Sequence, residues 1–405
     1  MKKFNKVILT SIATVGTLGV LGTGSVAFAS GMNAPAQSNG SQHQQSQDTR
    51  TVGSLKFLGS QSLPQNTTYK GTKVGGLSGI TYNPKNNKWL AISDDRSEYN
   101  PARFYGLKLN YNQNGFKKVN FKDVETLKQP NGKNYVSKDK YDSKSDDTVV
   151  DPESIRFDPL NNNEILYTSE GDRTLGINPF IRKASLNGQY KSDIPVKDTV
   201  KMDDKEQKGF RNNQAIEGST FSADGKTIWT ALEGPLKQDD EEPTPEKGAL
   251  SRITQYDRQG NVLSEVAYPL DPIPATPGKG KFALNGVTEM LAINDHQFLT
   301  LERASVQSAD GVFHNYIRVY KIDVNQGTDV KNMASLKGQN VQPVKKECLL
   351  NLNDDNFKKI DNVEGITFGK KLPNGHDSIV LVADDNFNKE QQTQFLAYEV
   401  QPESK

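Results

Sequence analysis

The stretch SGITYNPKNNKWLAISDDR, residues 78–96, decides the fold. Two runs of β-branched and aromatic residues, Ile80-Thr81-Tyr82 and Trp89-Leu90-Ala91-Ile92, flank the turn Asn83-Pro84-Lys85-Asn86-Asn87 and lead to Asp94-Asp95-Arg96. Short runs of that composition around an Asn/Pro turn predict a β-hairpin. The pattern returns at Glu153-Ser154-Ile155 to Glu170-Gly171-Asp172-Arg173 and at Glu217-Gly218-Ser219 to Glu233-Gly234. It returns again at Asn285-Gly286-Val287 to Glu302-Arg303 and at Glu364-Gly365-Ile366 to Asp384-Asp385. Successive starts lie 75, 64, 68 and 79 residues apart, a period that marks a repeat architecture.

A third strand follows each hairpin. In four copies it carries Arg-x-x-x-apolar, at Arg103/Leu107, Arg182/Leu186, Arg252/Tyr256 and Arg318/Ile322; Gln394/Tyr398 stands at the matching place in the last. A fourth strand is expected in the first four modules, as in Lys118-Val119-Asn120-Phe121 and Glu265-Val266-Ala267-Tyr268. The fifth module ends after its third strand, and Ser54-Leu55-Lys56-Phe57-Leu58 has no module of its own. Pairing these two leftovers closes a ring and removes the open sheet edges. The expectation is an all-β chain, a β-propeller of five blades closed by an N-terminal strand on the last blade. Six blades, with a degenerate one in the 304–363 interval, and an open pair of β-sandwiches are the alternatives; the sandwich leaves the repeat unexplained.

Composition bounds the function. The chain has 405 residues, 50 Lys+Arg against 49 Asp+Glu, a formal charge of +1 and a single cysteine. Balanced charge gives no reason to expect a nucleic-acid partner, and one cysteine excludes a disulfide framework or a multi-cysteine metal site. Lys2, Lys3 and Lys6, a weakly apolar run from Val7 to Val20, and Ala27-Phe28-Ala29 predict a signal peptide (1–29) cut after Ala29. A polar leader (30–50), a propeller domain (51–400) and a short tail (401–405) follow. No other apolar run is long enough to span a membrane. The expectation is a secreted monomer.

Hairpin geometry gives the chemistry its place. The first residue of an inner strand and the last of the next lie opposite one another in an antiparallel pair. The pairs Ser78/Asp94, Glu153/Glu170, Glu217/Glu233, Asn285/Glu302 and Glu364/Asp384 then ring the mouth of the central channel, with Asp95, Asp172, Glu289 and Asp385 able to join them. Clustered carboxylates repel unless protonated or neutralised, and hard oxygen donors suit Ca²⁺. Glu153, Glu170, Glu217, Glu233, Glu302, Glu364 and Asp384 are the expected metal ligands. Glu217, Arg173 and Arg303 are the expected catalytic residues, and Arg96, Arg103, Arg182, Arg252 and Arg318 can present forked donors to a phosphate or carboxylate. A plainer reading stands beside this one: repeated acids can accept backbone N–H groups, and repeated arginines can tie blade to blade. The loop 139–153 adds Asp146, Asp147 and Asp151, read as a solvated charged loop, and Cys348 is expected to be a packed thiol. The chain has no Gly-x-Ser-x-Gly elbow, P-loop or dinucleotide fingerprint, and its four histidines have no metal-binding spacing.

Gly75-Gly76-Leu77-Ser78-Gly79-Ile80, Asp151-Pro152-Glu153-Ser154-Ile155, Glu217-Gly218-Ser219 and Val363-Glu364-Gly365-Ile366 resemble the secreted phytase-like domain family, labelled "esterase-like activity of phytase". The resemblance spans residues 54 to 399 and implies an extracytoplasmic propeller that hydrolyses phosphoesters or other esters. The Asp-Asp-Pro-Ala-x-Trp signature of the alkaline β-propeller phytases is missing. The expected function is a secreted ester or phosphoester hydrolase in which water on a divalent metal attacks a small or polymeric substrate and Arg173, Arg303 and Arg96 neutralise developing charge. A calcium-dependent lactonase is a variant. The rival is a non-catalytic extracellular propeller that binds a glycan, a phosphorylated ligand or a protein.

Overall fold

Five antiparallel four-stranded sheets stand in a ring in the computed structural model, which describes residues 50–403 apart from 204, 206, 355, 356 and 358. The expected signal peptide and almost all of the leader lie outside the described residues. Blade 1 comprises Leu77–Asn83, Lys88–Ser93, Arg103–Asn112 and Gly115–Thr126. Blade 2 comprises Pro152–Phe157, Glu164–Ser169, Phe180–Ser185 and Tyr190–Ile194. Blade 3 runs through Ile216–Phe221, Thr227–Leu232, Ala249–Asp257 and Val262–Leu270. Blade 4 runs through Ala283–Ala292, Gln297–Gln307, Phe313–Asp323 and Lys346–Asn351. Blade 5 has Asn362–Phe368, Ser378–Asp384 and Gln394–Gln401, and takes its outermost strand, Ser54–Ser62, from the N-terminal side.

The closure is as expected: Leu55 pairs with Val400 and Phe57 with Tyr398 in antiparallel register. The inner strands pack side by side in the cyclic order 1-2-3-4-5-1, so the architecture is a five-bladed β-propeller. The core lies between blades rather than at one centre. Trp229, Ile253 and Tyr268 of blade 3 meet Val287, Met290 and Phe298 of blade 4, and Trp89 and Tyr105 of blade 1 meet Val380 and Phe395 of blade 5. Six blades are excluded by the use made of the long interval. Its 324–345 portion folds over the outer edge of blade 3, where Val330 and Val344 donate N–H bonds to Glu265 and Ala267 at 2.7 and 3.0 Å. Val330 and Leu336 are buried there against Ala267, which covers an edge open to foreign strands. Cys348 is not packed as expected; it lies exposed on the outermost strand of blade 4.

One irregularity is shared by all five inner strands. Each has a bulge, between Leu77 and Gly79, Pro152 and Ile155, Ile216 and Gly218, Val287 and Glu289, and Val363 and Gly365. A bulge leaves a residue out of the ladder and re-aims it. In blades 1, 3 and 5 that residue is Ser78, Glu217 or Glu364; in blade 2 the bulge takes in Glu153 and Ser154, and in blade 4 it is Thr288.

Candidate functional site

The bulges fix what each blade contributes to the mouth. Leu77 pairs with Ser93, Ile216 with Leu232 and Val363 with Ala383, so the next residue on the second strand is Asp94, Glu233 or Asp384. Pro152 pairs with Ser169, and Glu170 follows. In blade 4 Val287 pairs with Glu302, so the position filled elsewhere by an acid belongs to Arg303. One blade thus supplies a cation to a ring of acids supplied by the others. The sequence pairing of Asn285 with Glu302 is two residues out, since Asn285 faces Ala304 and Glu302 faces Val287. Arg303, one residue on, holds the funnel position, and neighbouring residues of a strand point to opposite faces; this corrects Glu302 as a metal ligand of the funnel. Glu302 is buried between blades 3 and 4, where it accepts bonds from Lys346, from Tyr268 Oη at 2.8 Å and from Asn285 Nδ2 at 3.0 Å.

The other predicted acids converge. One carboxylate oxygen from each of Asp151, Glu153 and Glu170 lies within 4.8 Å of the others, and the same holds for Glu170, Glu217 and Glu233. All five side chains are buried. Glu170 Oε1 accepts the Ala215 backbone N–H, but Oε2 of Glu170, of Glu217 and of Glu233 are buried without a hydrogen-bond partner among the described residues. Arg303 Nη2 sits 3.0 Å from both Glu233 Oε1 and Glu364 Oε1. Asn362 Nδ2 donates to Glu364 at 2.8 Å, and the Asn386 N–H to Asp384 at 2.9 Å. Arg96 Nη2 lies 2.6 Å from Asp151 Oδ2 and 2.6 Å from Asn213 Oδ1. A cavity of ≈ 350 Å³ opens above them, lined by Asp94, Glu153, Glu217, Glu364 and the two arginines among others.

Burial and mutual repulsion push these carboxyls up. Glu153, Glu170, Glu217, Asp94 and Asp384 are held well above the usual range, first by loss of water and then by one another's charge. Burial takes Asp151 to about 6 and Glu233 to about 7, with Arg96 and Arg303 holding them from going higher. A carboxyl raised in the folded state binds protons more tightly than in the unfolded chain. Its stabilising contribution is therefore complete below the ordinary carboxyl pKa and is lost as pH rises through the folded value. The melting temperature of EDTA-treated protein is expected to fall between pH 5 and pH 8, and millimolar divalent cation to flatten that fall. A cation-free melting temperature that is level or rising over this range contradicts the repulsive ring. The acidic clusters can hold a metal ion, and their donors are all hard carboxylate oxygens.

Several expected residues are elsewhere. The four third-strand arginines bind the fold, three of them within their own blades and Arg318 across to Asp271 at the end of blade 3. Arg252 is 0% exposed, with its fork on Asp239 at 2.6 and 2.8 Å and Nη1 2.6 Å from Glu265. Arg103 holds Asp95 at 2.7 Å and the Lys73 carbonyl, Arg182 holds Asp193 at 2.8 Å, and Arg318 holds Asp271 at 2.8 Å. Each is held by a carboxylate within or beside a blade and none lines the cavity, so these four are corrected as substrate-binding residues. Arg173 points its Nη1 at the carbonyls of Lys208 and Phe210, at 3.0 and 2.7 Å, and is absent from the cavity wall. Asp95 and Asp172 accept backbone N–H groups of their own loops, and Asp385 accepts that of Gly76. Asp147 takes amide donors from Gln129 and Asn131; of the loop aspartates Asp146, Asp147 and Asp151, it is Asp151 that joins Glu153 in the cluster.

Glu289 points inward, but to a different partner. Arg156, on the inner strand of blade 2, donates to the carbonyls of Ile80, Ser219, Met290 and Ile366 at 2.7–3.0 Å, one from each of the other four blades. It also meets Glu289 at 2.9 Å. Glu289 in turn accepts from Ser154 Oγ and the Ser219 N–H at 2.9 and 2.8 Å. Gly218 makes room for it: a Cβ there would lie 3.0 Å from the Glu289 Cα. This pair plugs the axis beneath the acids. Sequence reasoning missed Arg156, for which an arginine set between Ile155 and Phe157 on an inner strand was the available signal.

A ring of acids closed by one arginine, over a plugged axis, defines a five-bladed propeller with an acidic funnel. The chain belongs to the phytase-like family described as "Esterase-like activity of phytase", whose model matches residues 72–387. No curated protein matches it. Among solved structures it is similar to the catalytic domain of Coprinopsis cinerea GH62 α-L-arabinofuranosidase, at 9% identity and TM-score 0.41 over 87% of this chain and 98% of that one. A glucose dehydrogenase matches at 8% identity and TM-score 0.35 over 85% and 99%. Likeness at this level carries nothing about chemistry. No helix among the described residues is long and apolar enough to cross a membrane.

Proposed function

We propose that the funnel hydrolyses esters of phosphoric or carboxylic acids with the help of a divalent cation, Ca²⁺ being the best match, and that the protein works outside the cell. The observation that carries this reading is the set of three buried Oε2 atoms, on Glu170, Glu217 and Glu233, that have no hydrogen-bond partner among the described residues. A buried acceptor without a donor is costly unless a ligand completes it. Glu170, Glu217 and Glu233 would hold the cation, with Asp151 and Glu153 extending the donor set through Glu170. When bound, such a cation supplies Lewis acidity and lowers the pKa of its water. Arg303 is clamped by Glu233 and Glu364, and its Nε has no partner. That fixed charge suits the negative charge that develops on ester oxygens, and Arg96 lines the same cavity. Export rests on the basic start, apolar run and Ala27-Phe28-Ala29.

The test is turnover of p-nitrophenyl phosphate and p-nitrophenyl acetate, with EDTA and with added cation, by the native protein and by Glu217→Gln. Cation-dependent hydrolysis of at least one substrate is expected, reduced roughly 100-fold or more in the variant with its fold retained. Native protein that binds the cation and hydrolyses neither ester moves the funnel to the binding class.

A further inference from the structure

We propose that the ester met by this site is carried on a neutral sugar or similar ring polyol, and not on a polyphosphorylated one. The inference rests on the hydrolase reading and adds to it the chemical class of substrate. Three features of the cavity carry it.

The first is charge. Asp94, Glu153, Glu217 and Glu364 line the cavity against two arginines, and Asp151, Glu170, Glu233 and Asp384 stand directly behind. Among the described lining residues there is no lysine, and both arginines already face carboxylates at 2.6–3.0 Å. A ligand bearing several phosphates would bring like charge to this wall, and like-charge juxtaposition is strongly unfavourable in a desolvated site. A neutral ligand meets no such penalty.

The second is a set of amides. Asn386, Asn388 and Gln391, from the loop between the second and third strands of blade 5, line the cavity together with Asn213 and Asn362. An amide offers both donor and acceptor, which matches a hydroxyl group that does the same. The side chains of Asn386 and Gln391 have no hydrogen-bond partner among the described residues, so both are free for a ligand.

The third is an apolar wall. Phe282, just before the inner strand of blade 4, and Phe313, at the start of its third strand, line the cavity with their centroids 6.1 Å apart. They remain 50% and 46% exposed. Two half-exposed rings beside a polar pocket gain by being covered. The C–H face of a sugar ring covers an aromatic ring while its hydroxyls turn to amides and carboxylates. A polyphosphate offers no such face.

The experiment reads binding separately from turnover. Saturation-transfer NMR with a panel of methyl pyranosides (gluco, galacto and xylo), against inositol hexakisphosphate, uses the full-length cation-loaded protein. At least one pyranoside is expected to bind at millimolar concentration, and the double variant Phe282→Ala/Phe313→Ala to weaken it roughly tenfold. Hexakisphosphate binding with no pyranoside bound overturns the inference, as does unchanged pyranoside affinity in the double variant. Hydrolysis of p-nitrophenyl acetate without pyranoside binding overturns it and leaves the hydrolase reading standing. Pyranoside binding without hydrolysis of any ester overturns the hydrolase reading and, with it, the ester part of this inference, leaving a binding site for a neutral ring polyol.

Discussion

Millimolar Ca²⁺ added to EDTA-stripped protein is expected to raise its melting temperature by roughly 5–10 °C, the size of effect that about 4 kcal/mol of ligand binding has on a domain this large. The argument is electrostatic. Glu170, Glu217 and Glu233 are buried together, and each leaves one carboxylate oxygen without a donor. Arg303 reaches Glu233 and Glu364 but has no hydrogen bond to Glu170 or Glu217. Without a cation the cluster must hold protons or bear its own repulsion; with one, each free oxygen gains a partner. Glu217→Gln separates this from ordinary packing. It removes one like charge and one ligand, so the stripped variant should melt no lower than the stripped native protein, and its gain from Ca²⁺ should largely vanish. Two results count against the cation site: no response of the native protein to Ca²⁺, Mg²⁺ or Mn²⁺, or a stripped variant that melts well below the stripped native protein.

Replacing Arg156 by Met is expected to destabilise the propeller by about 3–5 kcal/mol, the usual cost of breaking a buried charged pair from one side. Four carbonyls, on four different blades, lose a donor at once, and Glu289 is left buried without its cation. Burial already raises Glu289 to about 7 against the pull of Arg156, so in the variant it should hold a proton at neutral pH. Arg156→Lys keeps the charge but loses the planar fork that reaches several carbonyls, and should fall between the two. The double variant Arg156→Met/Glu289→Met should recover part of the loss, because no uncompensated charge remains. Equilibrium urea unfolding measures all three. If Arg156→Met costs less than about 1 kcal/mol, the axial plug is not what ties the blades together.

Because the funnel and the plug sit on the same five inner strands, mouth and axis are mechanically linked. Glu289 accepts from Ser154 and Ser219, and each lies within two residues of a funnel acid, Glu153 or Glu217. A loosened axis should therefore also spread the acids above it, and Arg156→Met is expected to weaken the Ca²⁺-induced gain in melting temperature.

What the sequence determined by itself was the architecture and most of the acids. Five hairpins at a regular period, and two leftover strands that could satisfy each other, pointed to a closed ring of five blades, with six left open until the 304–363 interval was seen folded. Acids at the hairpin ends had to cluster because the strands that carry them surround one axis. Tertiary structure decided which way each side chain faces. Along a strand direction alternates at every residue, so the one-residue offset at the blade 4 bulge set Arg303, not Glu302, among the acids. Spacing along one chain cannot register that offset, because it exists only once two strands have paired. The same reason separates the third-strand arginines from the funnel. Arg252 and Arg103 repeat with the modules as regularly as the acids do, yet their partners, Asp239 with Glu265 and Asp95, belong to their own blades. Asp151 and Arg156 fall outside the pattern, and only the meeting of different blades around the axis gives them their places.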